Sequence, residues 1–415
     1  MPKVLWLGAA ALSFAWSAAA QFRGTYSNMA EYGLPNGNGN AFPLGIAAGP
    51  DGALWFTEDY GNKIGRITTA GAITEYAVPT GRSQPWGIAA GSDGALWFTE
   101  LIGNKIGRID IAGNIAEYPI PTANCYPAGI AAGPDGALWF AEDNAYQIGR
   151  IDTAGEITEY AVLAGGAGPY PYSIAAGPDG ALWFTERSDF GNKIGRIATS
   201  GKVAQYPVPT PVSNPSGIAA GPDGAMWFTE HAANKIGRIS MRGDITEYLV
   251  PTANSGPYWI AAGPDGALWF TAAHQIGRIT TTGTITQYPP QVAGFLNGIT
   301  AGPDGGLWFA SSVHDRIGRA PACGLGFGAR FADGTLSMKF DLGIDTPATF
   351  DILIHTASGV GRPFSREIPA VAPPRAFNMI WNGLPNLGDV TVEAVLTAGA
   401  GQAVCAEWNG VNTAQ

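Results

Sequence analysis

Pro85-Trp86-Gly87-Ile88-Ala89-Ala90, Gly91-Ser92-Asp93-Gly94, Ala95-Leu96-Trp97-Phe98-Thr99-Glu100, a loop, Lys105-Ile106-Gly107-Arg108-Ile109, Ile111-Ala112-Gly113 and Asn114-Ile115-Ala116-Glu117-Tyr118-Pro119-Ile120-Pro121 follow one another in this chain. The first piece is short and apolar, the second is turn chemistry, the third is rich in β-formers, and Lys105 to Ile109 alternates. Nothing here has the length or the 3.6-residue period of a helix. Four short strands make the unit, and the unit recurs. A Trp follows a Gly-Pro-Asp-Gly-type turn at Trp55, Trp97, Trp139, Trp183, Trp227, Trp269 and Trp308, at spacings of 42, 42, 44, 44, 42 and 39 residues. Four strands repeated at that period are the blade of a β-propeller, and seven copies predict seven blades.

A closed ring must not leave its last blade a strand short. The seventh unit stops after Ile317-Gly318-Arg319 without a Thr-Glu-Tyr outer strand, while an orphan Ala30-Glu31-Tyr32-Gly33-Leu34-Pro35 precedes the first unit. The N-terminal segment is therefore expected to complete blade 7, joining the ends of the ring by strand pairing and protecting both edges.

The expected organisation is all-β: a signal peptide over 1–20, the propeller over 21–320, and a small β-sandwich domain over 321–415. Lys3, the apolar run 4–16, and Ala18, Ala19 and Ala20 before Gln21 read as a secretory signal cleaved after Ala20, with export to the periplasm or the outside. The sandwich reading rests on the alternating stretches 328–340, 348–355, 376–381, 389–396 and 403–408. Cys323 and Cys405 bracket this part, and pairing them would close a loop of roughly 80 residues, worth about 4 kcal/mol in the chain-entropy picture. Cys125 is then the odd thiol.

Charged residues make up only 13% of the chain, and 33 acids against 23 bases give −10 with no Lys/Arg cluster. That balance excludes a nucleic-acid or anionic-membrane binder. The 59 glycines and 31 prolines exclude coiled coils and long bundles. No apolar run approaches the roughly 20 residues of a membrane span, so the mature chain is expected to have no transmembrane segment and to be a monomer.

Repetition supplies an internal control, because a residue present in nearly every copy serves what every copy needs. The seven Trp residues and the Phe after each read as packing between blades. Arg66, Arg108, Arg150, Arg196, Arg238, Arg278 and Arg319 read as partners of acids or carbonyls. Asp51, Asp93, Asp135, Asp179, Asp223, Asp265 and Asp304 precede Gly and read as turn residues in preference to calcium ligands. Glu58, Glu100, Glu142, Glu186 and Glu230 form a ring broken at Ala272 and Ser311, either packing with two defects or a face with one distinct sector.

Loops after Trp-Phe-Thr-Glu and loops leading into Pro-x-Gly-Ile open on one rim, the expected ligand surface. Its blade-specific residues are Leu44, Trp86, Ala128, Tyr172, Ser216, Tyr258 and Asn297, with Tyr126, Tyr170, Trp259 and Phe295 nearby. Trp86, Tyr172, Tyr258, Trp259, Asn297 and Glu230 are the candidate ligand-binding residues. Aromatic and polar groups with few charges suit a small molecule, a peptide or a glycan. His231, His274 and His314 follow Trp227, Trp269 and Trp308 on three consecutive blades, beside Glu230 and Asp315. They are the candidate catalytic or metal-ligating groups, and the alternative is three solvated loop histidines. His355 falls in an alternating strand and reads as half-buried.

The repeated Gly-Ile-Ala-Ala-Gly-Pro-Asp-Gly-Ala-Leu-Trp-Phe-Thr-Glu, then Asn-Lys-Ile-Gly-Arg-Ile, then Ile-Thr-Glu-Tyr, over about residues 21–320, resembles the streptogramin B lyase (virginiamycin B lyase) family. The resemblance implies a seven-bladed propeller whose enzymatic members open a cyclic depsipeptide antibiotic by elimination at its ester, using magnesium. It also implies a Pro-His before the sixth inner strand, a Glu-Pro-His before the seventh and a Glu after the seventh Trp-Phe. Here those places read Pro257-Tyr258, Phe295-Leu296-Asn297 and Ser311-Ser312. Elimination needs a base and a cation held by acids or imidazoles, and neither Tyr258 nor Asn297 is a base near pH 7. Three functions stay open: an exported propeller that lacks the catalytic set and binds a ligand at its rim, a C–O lyase working through a different base, and a structural or adhesive envelope protein.

Overall fold

A computed structural model of the chain describes residues 29–412 apart from 36–38, 163–167, 169, 188–191, 289–293, 322–323, 333–334, 345–347, 357–358, 369–370, 383–387 and 399–400, with the backbone alone over 321–412. The signal over 1–20 and the pairing of Cys323 lie outside the described residues.

Each blade is an antiparallel meander. In blade 1, Pro43–Ala48 pairs with Leu54–Glu58, which pairs with Lys63–Ile67, which pairs with Ile73–Ala77. The same four-stranded sheet occurs seven times. In every blade the second strand is buried along its length, Arg187 at the end of the blade 4 strand being half-buried, because it is enclosed between two neighbouring blades. Trp55 packs with Ile64 and Val78 of its own repeat against Ile88, Leu96, Phe98 and Ile109 of the next blade. Enclosure on both faces explains why this strand is a near-continuous apolar run. Each large side chain buried this way contributes about 1.5–3 kcal/mol. Phe56 lies over Gly65 of the third strand, where any Cβ would overlap the ring, so Lys-Ile-Gly-Arg-Ile needs its glycine.

Blade 7 takes its outer strand from the N-terminal end: Ala30–Gly33 pairs with Arg316–Pro321. Tyr32 stacks on Trp308 at 5.7 Å and 15°, as Tyr76 stacks on Trp55 at 5.7 Å and 15°. Glu31 meets Arg316 at 3.1 Å, repeating the Glu117–Lys105 pair at 2.6 Å. Asp315 completes the closure. Its carboxylate accepts the backbone N–H groups of Gly39, Asn40, Ala41 and Phe42 at 2.6, 3.0, 3.2 and 2.9 Å. Asp315 is thus a structural clasp between blade 7 and the segment leading into blade 1.

The turn-side rim repeats one network. Asp51 accepts the Trp55 indole N–H at 3.1 Å and the Arg66 Nε–H at 2.6 Å. All seven blades carry the equivalent Trp and Arg bonds. Burial opposes charge on Asp51, but Arg66, Trp55 and the Ala53 N–H outweigh it and hold its carboxyl below the ordinary range.

Beyond the ring the backbone forms seven more strands. Gly324–Ala332, Thr335–Ile344 and Val371–Asn382 make one sheet; Gly359–Ile368, Ala348–Thr356, Gly388–Ala398 and Gly401–Asn412 make another. The sequence stretches missed Gly359–Ile368, whose Gly359, Gly361 and Pro363 break the apolar alternation. Among the described residues no helix is long and apolar enough to cross a membrane.

Candidate functional site

The inner strand of each blade begins where the second strand ends, Pro43 lying opposite Glu58, so both sets of loops open on the same rim. Large rings at the position after that Pro fall on alternate blades: Trp86 on blade 2, Tyr172 on blade 4 and Tyr258 on blade 6. Ala128 and Ser216 between them are small and buried. The gaps let the rings meet across the mouth of the central channel. Trp86 meets Tyr172 edge-on at 6.3 Å, and Tyr172 meets Tyr258 at 6.2 Å with their hydroxyls hydrogen-bonded. Burial, then the Tyr258 ring beside it, push the Tyr172 phenol well above its ordinary pKa.

Blade 4 is built differently from its neighbours. Its first two strands run Tyr170–Ala176 and Ala181–Arg187, seven residues each, and the added pairing of Tyr170 with Arg187 carries the hairpin further into the mouth. Arg187 lies with its guanidinium 3.7 Å from the Tyr172 ring centre and 6.0 Å from that of Tyr258. Its Nε–H points to Asn214 Oδ1 at 3.4 Å. Asp143 is the nearby acid: burial pushes its carboxyl up to about 6 while Arg187 pulls it down, and its Oδ1 is buried without a partner. Burial alone pushes Asp59 up to about 6.

Blade 6 supplies the other wall. Where Gly217 sits tightly against the Tyr258 carbonyl and the Trp259 backbone, blade 6 itself carries Trp259 in place of glycine. Its inner strand shrinks to Ile260–Ala262, against six residues in blade 5. Trp259 stands edge-on to Tyr258 at 6.2 Å, and the indole N–H groups of Trp86 and Trp259 are both buried without an acceptor.

The three histidines do not form one constellation. His231 reaches the cup, its ring 5.7 Å from Tyr258. His274 instead occupies, at φ 60, the left-handed turn position that Asn62, Asn104, Asn192 and Asn234 fill elsewhere, and packs on Phe295 at 5.8 Å. His314 lies beside Gly294. Each stands at a different offset from its Trp, so successive loops aim them at different neighbours. Among the described residues no three His, Cys, Asp or Glu side chains are gathered closely enough to hold a metal ion.

Two other candidates are engaged elsewhere. Glu230 is buried, and burial with Glu247 nearby pushes its carboxyl up to about 8. Glu58 and Glu142 are likewise pushed to about 8, and Glu100 and Glu186 to about 7, chiefly by burial. The acids of the broken ring are therefore buried groups, four of them beside the third or outer strand of their own blade. Asn297 donates to the Pro43 carbonyl at 3.1 Å, tying blade 7 to blade 1, and the Ser312 hydroxyl points to the Phe295 carbonyl at 3.4 Å. Cys125 is buried, and burial followed by Glu142 and Glu159 raises its thiol pKa, the opposite of what a nucleophile needs.

Sequence reasoning missed Arg187, Asp143 and Asp59. The signal was present: the position after the repeated Glu reads Asp59, Leu101, Asp143, Arg187, His231, Ala273 and Ser312, as blade-specific as the position after the Pro.

The sequence pattern of the virginiamycin B lyase family matches residues 20–170 and 165–325. A solved streptogramin B lyase is 42% identical, with a TM-score of 0.66 over 70% of this chain and 96% of that one. Virginiamycin B lyase from Staphylococcus aureus is 43% identical, with a TM-score of 0.66 over 70% of this chain and 98% of that one. A catalytically inactive variant of the Staphylococcus aureus enzyme, solved with quinupristin, is 42% identical over the same shares, with a TM-score of 0.66. Hydrazine synthase of Kuenenia stuttgartiensis, 18% identical with a TM-score of 0.58 over 70% of this chain and 98% of that one, shares the fold alone. Among curated proteins none matches.

Proposed function

The chain belongs to the virginiamycin B lyase family, and from that premise we propose that it is a ligand-binding propeller and not a lyase. The observation that carries this reading is at Tyr258. The family resemblance puts a catalytic imidazole there, and here a phenol stands in its place with its hydroxyl joined to that of Tyr172 across the mouth. A phenol titrates near 10 and takes no proton at pH 7. Magnesium, which the resemblance implies, does not suit the donors present: Tyr258, Asn297 and Ser312 are neutral, and the Asn297 amide already donates to Pro43. The half-buried rings of Trp86, Tyr258 and Trp259 instead offer aromatic surface to a small apolar or peptidic ligand.

A second reading, a C–O lyase using His231 as its base, is favoured by one observation, the contact of His231 with Tyr258. One experiment separates the two. The mature chain, exported after Ala20 and monomeric in this proposal, with its C-terminal sheets packed as a β-sandwich closed by Cys323 and Cys405, is incubated with quinupristin with and without magnesium. Substrate is then followed by chromatography and mass spectrometry. Unchanged substrate is expected. A product of unchanged mass means elimination and overturns the binding reading in favour of a lyase, with loss of that product in His231→Ala then required to make His231 the base.

A further inference from the structure

Among the groups gathered at the mouth, Arg187 has no structural task that accounts for its position. The repeated arginines of the turn side each meet an Asp at 2.6–2.7 Å. Arg187 has no such partner: among the described residues no carboxylate lies within ion-pair distance, and its one hydrogen bond, to Asn214, engages Nε at 3.4 Å. It is held instead by its face. A guanidinium stacked on a ring spends its π surface on that ring and keeps the N–H groups of its edge free in the plane, the arrangement that takes a carboxylate with two parallel hydrogen bonds. The hairpin lengthened by Tyr170 and Arg187 exists in blade 4 alone among the described blades, so this placement is not a by-product of the repeat.

The surroundings point the same way. Trp86 and Trp259 are half-buried rings edge-on to Tyr172 and Tyr258, so aromatic surface lies beside the rings that hold the guanidinium. Asp143 is the opposing acid, and it stays outside ion-pair range of Arg187.

Resting on the reading of the mouth as a ligand site, we propose that Arg187, held on the face of the buried Tyr172, is a carboxylate-recognition residue, and that the ligand carries a free carboxylate next to an aromatic or apolar group that lies on Tyr258 and Trp86. This is a chemical class distinct from an intact ring closed by an ester, whose carboxyl is consumed in the closure.

The test is calorimetric titration of the full chain at pH 7 with N-acetyl-L-phenylalanine and with its neutral amide, N-acetyl-L-phenylalaninamide. The carboxylate is expected to bind about tenfold more tightly than the amide. Arg187→Gln is expected to abolish that preference, and Arg187→Lys to keep part of it. If thermal melting shows that Arg187→Gln does not fold, Arg187→Lys together with a salt titration of the wild-type preference decides, since a preference indifferent to salt does not come from a guanidinium. Equal affinity for the two probes, or a preference that survives in Arg187→Gln, overturns the proposal. Equal affinity that disappears in Trp86→Ala leaves the mouth as a ligand site and removes only the carboxylate. Binding of neither probe overturns both.

Discussion

The two rims of the propeller use the same residue types to opposite ends. On the turn side, Asp, Trp and Arg recur in every blade, and each Asp accepts from an indole and a guanidinium, bonds that hold the Asp51 and Asp304 carboxyls below the ordinary range. At the mouth, Trp86, Tyr172, Arg187, His231 and Tyr258 occur once each, and the acids there and just beneath are pushed toward neutrality by burial. Repetition marks what the ring needs for closure and packing; departure from repetition marks what the ring carries. The same contrast separates Arg187 from the seven turn-side arginines, which the residue type alone does not distinguish.

Substitution of Trp183, wholly enclosed between blades 4 and 5, tests the structural half of this contrast hardest. Trp183→Ala is expected to cost about 3–5 kcal/mol, read as the shift of the urea unfolding midpoint. A cost below 1 kcal/mol would break the claim that the repeated residues carry the stability. Next in size is the clasp. Asp315→Ala strands four backbone N–H groups of 39–42 and is expected to cost about 2–3 kcal/mol. It should also speed proteolytic trimming of the N-terminal strand, and unchanged trimming would mean that Ala30–Gly33 is held without it.

The matching change at the mouth, Trp86→Ala, is expected to cost only about 1–2 kcal/mol, because the indole is half-buried, yet to remove ligand binding. Loss of stability as large as in Trp183→Ala would erase the distinction between the two rims. Smaller again is a pH effect. Glu142 and Glu230 titrate at about 4.5 in the unfolded chain and about 8 in the folded one, so the folded state binds more protons in that window. Stability therefore falls as pH rises from about 4.5 through about 8. Glu142→Gln and Glu230→Gln should each stabilise by on the order of 1 kcal/mol at pH 9 and change nothing at pH 5, compared by thermal melting. A wild-type melting temperature that rises between pH 5 and 9 would contradict the burial of these acids. The smallest effect belongs to a single turn-side pair: Arg108→Ala, which releases Asp93 at a partly exposed site, is expected to cost below about 1 kcal/mol.

The blades were legible because each strand obeys local rules. Gly-Pro-Asp-Gly sets a turn, Leu-Trp-Phe-Thr-Glu has no polar break, and Lys-Ile-Gly-Arg-Ile places its glycine under the Phe of the neighbouring strand. The orphan Ala30-Glu31-Tyr32 announced the strand that blade 7 lacked. The site was legible only in part. Tyr172, Tyr258, Trp86 and Trp259 stand together, while Glu230 is buried, Asn297 donates to Pro43 of blade 1, and His274 packs on Phe295. Arg187 escaped notice because arginine is common to every repeat, and only its offset from Trp183 distinguishes it.

What the sequence determines here is whatever lies within one repeat: strand, turn and the face that meets the next blade, all fixed by residues no more than a few positions apart. What only the tertiary structure decides lies across the ring. Tyr172 and Tyr258 are 86 residues apart and on blades that do not touch in sequence, and they meet because Ser216 between them is too small to keep them separate. Closure of seven blades converts that one small residue into a shared hydroxyl contact, and no local rule contains the size of a residue on the neighbouring blade.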